Sequence, residues 1–183
     1  MKDIQTTTTT VIYSTRDDSH ALRHGSIVLT DYLSKDVQWC DVEVTGPDSV
    51  INKGDEILMS RRPASYTFDI EGLKMHNTSD ASCLAYRKKG SDTLYATGKT
   101  FIYSFIDKPE EVTASGIVLM RKEANKERDP IWVKVVAAGK DTGVQTDDEV
   151  LIAYKSDAYT FKIDKQELHN GGVEEIILFR RPQ

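Results

Sequence analysis

The chain has 183 residues, a net charge of −5 from 24 Lys and Arg against 29 Asp and Glu, and a hydrophobic fraction of 39%. The two signs of charge are interleaved, which excludes a basic footprint for nucleic acid and a polybasic patch for lipid. No window approaches the ~20 apolar residues of a membrane span, and residues 1–10 lack the apolar core of a signal peptide, so a cytosolic location is expected.

Residues 1–10, which end in five consecutive threonines, read as an extended N-terminal arm able to pair with an exposed sheet edge. A strand follows at "TTVIYST", then the polar run "TRDDSHALRHGS" and the short apolar word Ile27-Val28-Leu29. "WCDVEVTG" alternates polar and apolar residues and stops at Gly46, and "DEILMS", "YTFDI" and "SCLAYRK" complete a set of five β segments. Helix signals are weak throughout.

The same order then recurs. Trp39 falls on Trp132, Gly46 on Gly139, Asp55-Glu56 on Asp148-Glu149, Tyr66-Thr67-Phe68 on Tyr159-Thr160-Phe161, and His76-Asn77 on His169-Asn170. Ahead of the tryptophans, Ile12-Tyr13-Ser14 falls on Ile102-Tyr103-Ser104 and Ile27-Val28-Leu29 on Ile117-Val118-Leu119, the second copy being three residues longer within "RKEANKERDP". The chain is a tandem duplication. The divisions expected are the arm at 1–10, a first barrel at 11–88, a linker at 89–98 and a second barrel at 99–183. The fold class is all-β, two small tandem barrels joined by a short linker whose Tyr95 is placed to dock on a neighbour.

In both copies the first strand leads into a polar run that cannot order itself by burial, loosened at its end by Gly25 and Gly116. One reading is a hairpin loop followed by a buried Ile-Val-Leu strand. The other is a mobile loop that shows an apolar anchor to a partner groove, ordering as it binds.

The succession of strand, polar loop, Ile-Val-Leu, strand ending in glycine, Asp-Glu-[Ile/Val]-Leu and a Tyr-Thr-Phe strand resembles the GroES-like co-chaperonins, in their double-domain form. "GIVLM" and "SIVLT" are similar to that family's loop tripeptide, and "VKVVAAGKDTGVQTDDEVLIAYKSDAYTFKI" to its barrel core. The resemblance implies a non-enzymatic homo-oligomer that caps a chaperonin. Gly25, Ile27, Val28 and Leu29 with Gly116, Ile117, Val118 and Leu119 would contact the partner. Gly46 and Gly139 are followed so soon by Asp55 and Asp148 that there is no room for the family's long roof hairpin, as in some phage-encoded members. The alternative is a virion structural protein that uses the same duplicated barrel against neighbouring virion subunits, its location then being the particle.

An enzyme is the weakest reading, since no nucleophile, base and orienting group can be proposed. Asp55-Glu56 and Asp148-Glu149 are read as solvated turn residues, His76 and His169 as turn formers, and Trp39 and Trp132 as barrel packing with contact to another subunit as the lesser use. Cys40 and Cys83 have no CxxC spacing and are read as small buried strand residues. No metal, no cofactor, no nucleic acid and no membrane are expected.

Overall fold

The computed structural model describes residues 4–15, 23–24, 27–28, 37–60, 66–106, 130–153, 160–163 and 166–182. The first copy contributes β1 (Thr10–Thr15), β2 (Arg23–His24), β3 (Ile27–Val28), β4 (Val37–Thr45), β5 (Glu56–Ser60), β6 (Thr67–Ile70), β7 (Leu73–Ser79) and β8 (Ala85–Arg87). The second contributes β9 (Thr100–Phe105), β10 (Ile131–Ala138), β11 (Glu149–Ile152), β12 (Thr160–Ile163), β13 (Gln166–Gly172) and β14 (Ile176–Arg180).

Twelve of these strands form two six-stranded antiparallel sheets, ordered β6-β7-β1-β4-β5-β8 and β12-β13-β9-β10-β11-β14, and β2 and β3 pair separately. The second order is the first with each strand replaced by its repeat partner, so the duplication extends from sequence to topology. It reaches down to single irregularities. Tyr13 pairs with Val42 and Ile12 with Val44, leaving Glu43 as an extra residue; Tyr103 pairs with Val135 and Ile102 with Ala137, leaving Val136 extra at the equivalent place. A bulge of this kind bends its strand and strengthens the local twist, so both sheets curl at the same point.

Strand alternation divides the apolar residues between two faces. One face of the first sheet gathers Val11, Tyr13, Cys40, Val42, Ile57 and Met59 into a buried cluster that Ile51 and Cys83 complete. Phe101, Tyr103, Val133, Val135, Val150 and Ile152, with Val144, build the counterpart in the second. The opposite faces meet each other. Trp39, Leu58, Leu84 and Ala85 of the first copy share a third cluster with Ile102, Ala137, Phe161 and Leu168 of the second.

The segment at 89–98 is part of that junction. Tyr86 and Tyr95 exchange two backbone hydrogen bonds, both 2.9 Å, and their rings stack at 5.1 Å. Leu94 and Ala96 join the shared cluster, and the Thr97 hydroxyl donates to the Asp80 carbonyl at 2.7 Å. Tyr95 therefore docks on β8 of its own chain.

Several expectations are corrected. Each copy has a sixth sheet strand, β7 or β13, and it holds His76 or His169; neither is a turn former. Flanked on both sides, by β6 and β1 or by β12 and β9, these polar segments are extended by their pairing and not by their composition. Cys83 is buried but follows a 3-10 turn at Asp80–Ser82 and is not in a strand. Within the arm, residues 4–9 are irregular, and the Thr10 N–H donates back to the Thr7 carbonyl at 3.1 Å in a turn.

The acidic pairs are not solvated turn residues: Asp55, Glu56 and Asp148 are buried. Each has a basic partner near the end of its own copy. Arg87 Nε donates to Glu56 at 2.6 Å and Lys88 Nζ to Asp55 at 2.9 Å; Arg180 pairs with Glu149, and Arg181 Nε donates to Asp148 at 3.0 Å. Asp55 and Asp148 also accept the backbone N–H groups of Asn52 at 2.9 Å and Gln145 at 2.8 Å. These carboxylates tie the turn before β5 or β11 to the strand that ends the copy.

A pH dependence follows for Asp148. Its hydrogen bonds from Arg181, ahead of that from the Gln145 amide, hold its carboxyl below the usual carboxylate range despite burial. The folded pKa lies below the unfolded one, so the stability from this pair is complete above the unfolded value of about 3.9 and is lost as pH falls through the folded value. Urea unfolding of wild type and Arg181→Ala should therefore differ fully at pH ~6 and converge as pH falls toward ~2. A difference that stays constant across that range would remove the linkage.

Candidate partner-binding surfaces

The two polar segments of interest occupy the same slot in the fold. One connects β1 to β4 and the other β9 to β10, in each case between neighbouring antiparallel strands. They leave from equivalent sheet positions, where Thr15 pairs with Cys40 and Phe105 with Val133. Ile27 and Val28 form β3, which pairs with β2 through His24 opposite Ile27 and Arg23 opposite Val28. Gly25, Leu29, Gly116, Ile117, Val118 and Leu119 lie outside the described residues.

The roots of the two segments differ in character. In the second copy Tyr103 stacks on His169 at 5.3 Å, and Phe105 lies against the same imidazole at 4.5 Å. Thr160 and His169 Nδ1 share a hydrogen bond of 3.1 Å that fixes the ring from the other side. The first copy keeps the Tyr13–His76 stack at 5.3 Å and the Thr67–His76 hydrogen bond at 3.1 Å, but Thr15 stands where Phe105 stands. Burial and, after it, the nearby Lys74 lower the His76 pKa, which favours the neutral ring. The longer second segment thus springs from a larger aromatic platform.

The shared cluster is the second surface of interest. Asn170 Nδ2 donates to the Leu84 carbonyl at 2.8 Å across it, a direct hydrogen bond between the copies. Trp39 packs in this junction, with the Arg87 guanidinium 4.1 Å from its ring centroid. The expectation of packing inside a barrel is thereby corrected, because Trp39 is on the sheet face away from its own copy's core. Trp132 has the same cation above it, Arg180 at 4.6 Å, but no copy beyond it to cover it.

Beside the linker opens a cleft of about 420 Å³ whose walls include Leu94, Tyr95, Val136, Ile163 and Leu168. It is the edge of the same junction. Among the described residues no group of three His, Cys, Asp or Glu side chains could hold a metal ion, and no helix is long and apolar enough to cross a membrane. The described part presents apolar faces, strand edges and aromatic rings.

One surface went unread in the sequence. Ile177, Leu178 and Phe179 of β14 are 52%, 46% and 45% exposed. The signal was available in "EIILFRR", since a strand with one wet face alternates and three consecutive apolar residues require both faces to be covered. A scan against protein-family models finds no match for the chain, and a search of curated proteins finds none either.

Proposed function

We propose that the chain is a non-enzymatic, co-chaperonin-like homo-oligomer built on two GroES-like barrels. It binds a chaperonin through the segments that carry Ile27, Val28, Leu29 and Ile117, Val118, Leu119, and caps the folding chamber in the cytoplasm. One observation carries the reading: two copies with the same strand order hold the same apolar word in the same long connection between paired strands.

Energetics favour a repeated anchor. Burying Ile, Val and Leu gains roughly 1.5–3 kcal/mol each, whereas ordering a loop costs about 1–2 kcal/mol per residue. One segment alone binds weakly, and several on one assembly gain by effective concentration while each contact stays easy to release.

The test is native mass spectrometry of the chain with a host chaperonin and nucleotide, using the double variant Ile117→Asp, Val118→Asp. The complex is expected to form with wild type and to vanish with the variant, whose circular dichroism stays that of the wild type. Binding retained by the variant would end the anchor role. A wild-type oligomer that ignores the chaperonin would instead favour the second reading, a virion module, for which the exposed apolar face of β14 speaks.

A further inference from the structure

The junction between the two copies is head-to-tail. The first copy offers the outer face of β4, β5 and β8, through Trp39, Leu58 and Ala85; the second offers that of β9, β10, β12 and β13, through Ile102, Ala137, Phe161 and Leu168. These are different surfaces of one fold, so the contact is heterologous, and a heterologous contact leaves one unused half at each end.

Both unused halves are present and apolar. At the far side of the second copy, Trp132, Leu151 and Leu178 stand at the positions of Trp39, Leu58 and Ala85. Trp132 and Leu151 are half-buried and Leu178 is exposed, while Trp39, Leu58 and Ala85 are buried. At the far side of the first copy, Ile12 and Met75, at the positions of Ile102 and Leu168, are already buried, while Val44, Phe68 and Ile70, at the positions of Ala137, Phe161 and Ile163, are half-buried and form the open part of this half.

The linker contact has an open counterpart as well. Ile4, Gln5 and Thr6 of the arm fall on Leu94, Tyr95 and Ala96, and Phe179 falls on Tyr86. Ile4 keeps the apolar character of Leu94, and Phe179 keeps the aromatic character of Tyr86 and is 45% exposed, with the Arg181 guanidinium 5.8 Å from its ring centroid. Asn77 and Ile177 repeat the Asn170–Leu84 pair that donates and accepts across the junction.

We infer that a second copy of this chain docks on β14 and its neighbours with its own first copy, repeating between chains the junction built within each one. Phe68, Ile70 and Val44 of the incoming chain cover Trp132, Leu151 and Leu178, and its arm runs along β14 as the linker runs along β8. Exposed apolar surface on a chain that already uses the equivalent surface for packing is thereby buried. The inference rests on the homo-oligomeric part of the proposed function and is independent of the chaperonin.

The experiment is light scattering and native mass spectrometry of the full chain without chaperonin, for wild type, Leu178→Asp and Phe68→Asp. Wild type is expected to form oligomers and each variant to fall to monomer. An equimolar mixture of the two variants should give a dimer and nothing larger, because each retains one intact and opposite half. That dimer also shows both variants to be folded; Ile70→Asp replaces Phe68→Asp if the latter loses its circular dichroism signature. A wild-type monomer at micromolar concentration would overturn the homo-oligomeric reading along with the inference. Variants that stay oligomeric, or folded variants that fail to form the mixed dimer, would overturn the inference alone.

Discussion

Phe161→Ala is expected to destabilise the chain by about 3–5 kcal/mol, the range for emptying a buried aromatic site. Phe161 is fully buried, yet it faces away from the core of its own sheet and fills the cluster between the copies. The loss should therefore appear as uncoupling: one cooperative urea transition in wild type, two in the variant, with the sheets melting separately. Phe68→Ala is the internal control, since Phe68 holds the equivalent place in the first copy and is half-buried. In dilute protein it should cost well under half as much. Equal costs for the two substitutions would mean that the junction contributes nothing to holding the copies together.

How far the residues alone foretold this arrangement can be read from the two faces of β4. Val42 and its repeat partner Val135, with Tyr13 and Tyr103, follow simple alternation, and the two cores they build are in the places that alternation assigns. Trp39 obeys the same alternation but on the other face. Nothing local to "WCDVEVTG" says what covers that face, because the covering residues, Phe161 and Leu168 among them, are remote in sequence.

The acidic turns misled for the same reason. Asp55-Glu56 looks like a wet turn until Arg87 and Lys88 arrive from the end of the copy, a pairing of 31 and 33 residues' separation that no short window contains. β7 and β13 were hidden by composition, since "LKMHNTS" and "QELHNGG" are poor in β-branched residues. The anchor words are a different case. Their repetition was evident, but of the residues assigned to partner contact only Ile27 and Val28 are among those described, in the short β2–β3 ladder.

Gly139→Ala should cost about 3 kcal/mol, at the upper end of what overpacking produces. A Cβ at this position would land on the Gly98 carbonyl oxygen and come within 2.7 Å of that of Thr97, both backbone atoms that cannot swing away. They are held where they are: the Asp141 N–H donates to the Gly98 carbonyl at 3.0 Å, and the Thr100 N–H to that of Thr97 at 2.9 Å. Gly46 meets the Thr7 and Thr8 carbonyls of the arm in the same way, so Gly46→Ala should cost a similar amount.

Gly54→Asn separates this mechanism from a general intolerance of glycine replacement. Gly54 has a φ of +87° with open space around it, and its repeat partner Asp147 already adopts 72°. Asparagine tolerates that region, and it avoids setting a carboxylate near Asp41, which stands where the second copy has Lys134, the partner of Asp147 at 2.8 Å. Gly54→Asn should thus leave stability within about 0.5 kcal/mol of wild type. The two close-approach glycines differ from each other in consequence. Gly46 fixes the arm, whereas Gly139 fixes the end of the linker at Thr97 and Gly98, two and three residues from the Tyr95 that bridges to β8. Gly139→Ala is therefore expected to reproduce the two-step melting of Phe161→Ala, and Gly46→Ala to lower the single transition without splitting it. If both split the transition, or neither does, the linker's anchorage at Gly139 is not what couples the copies.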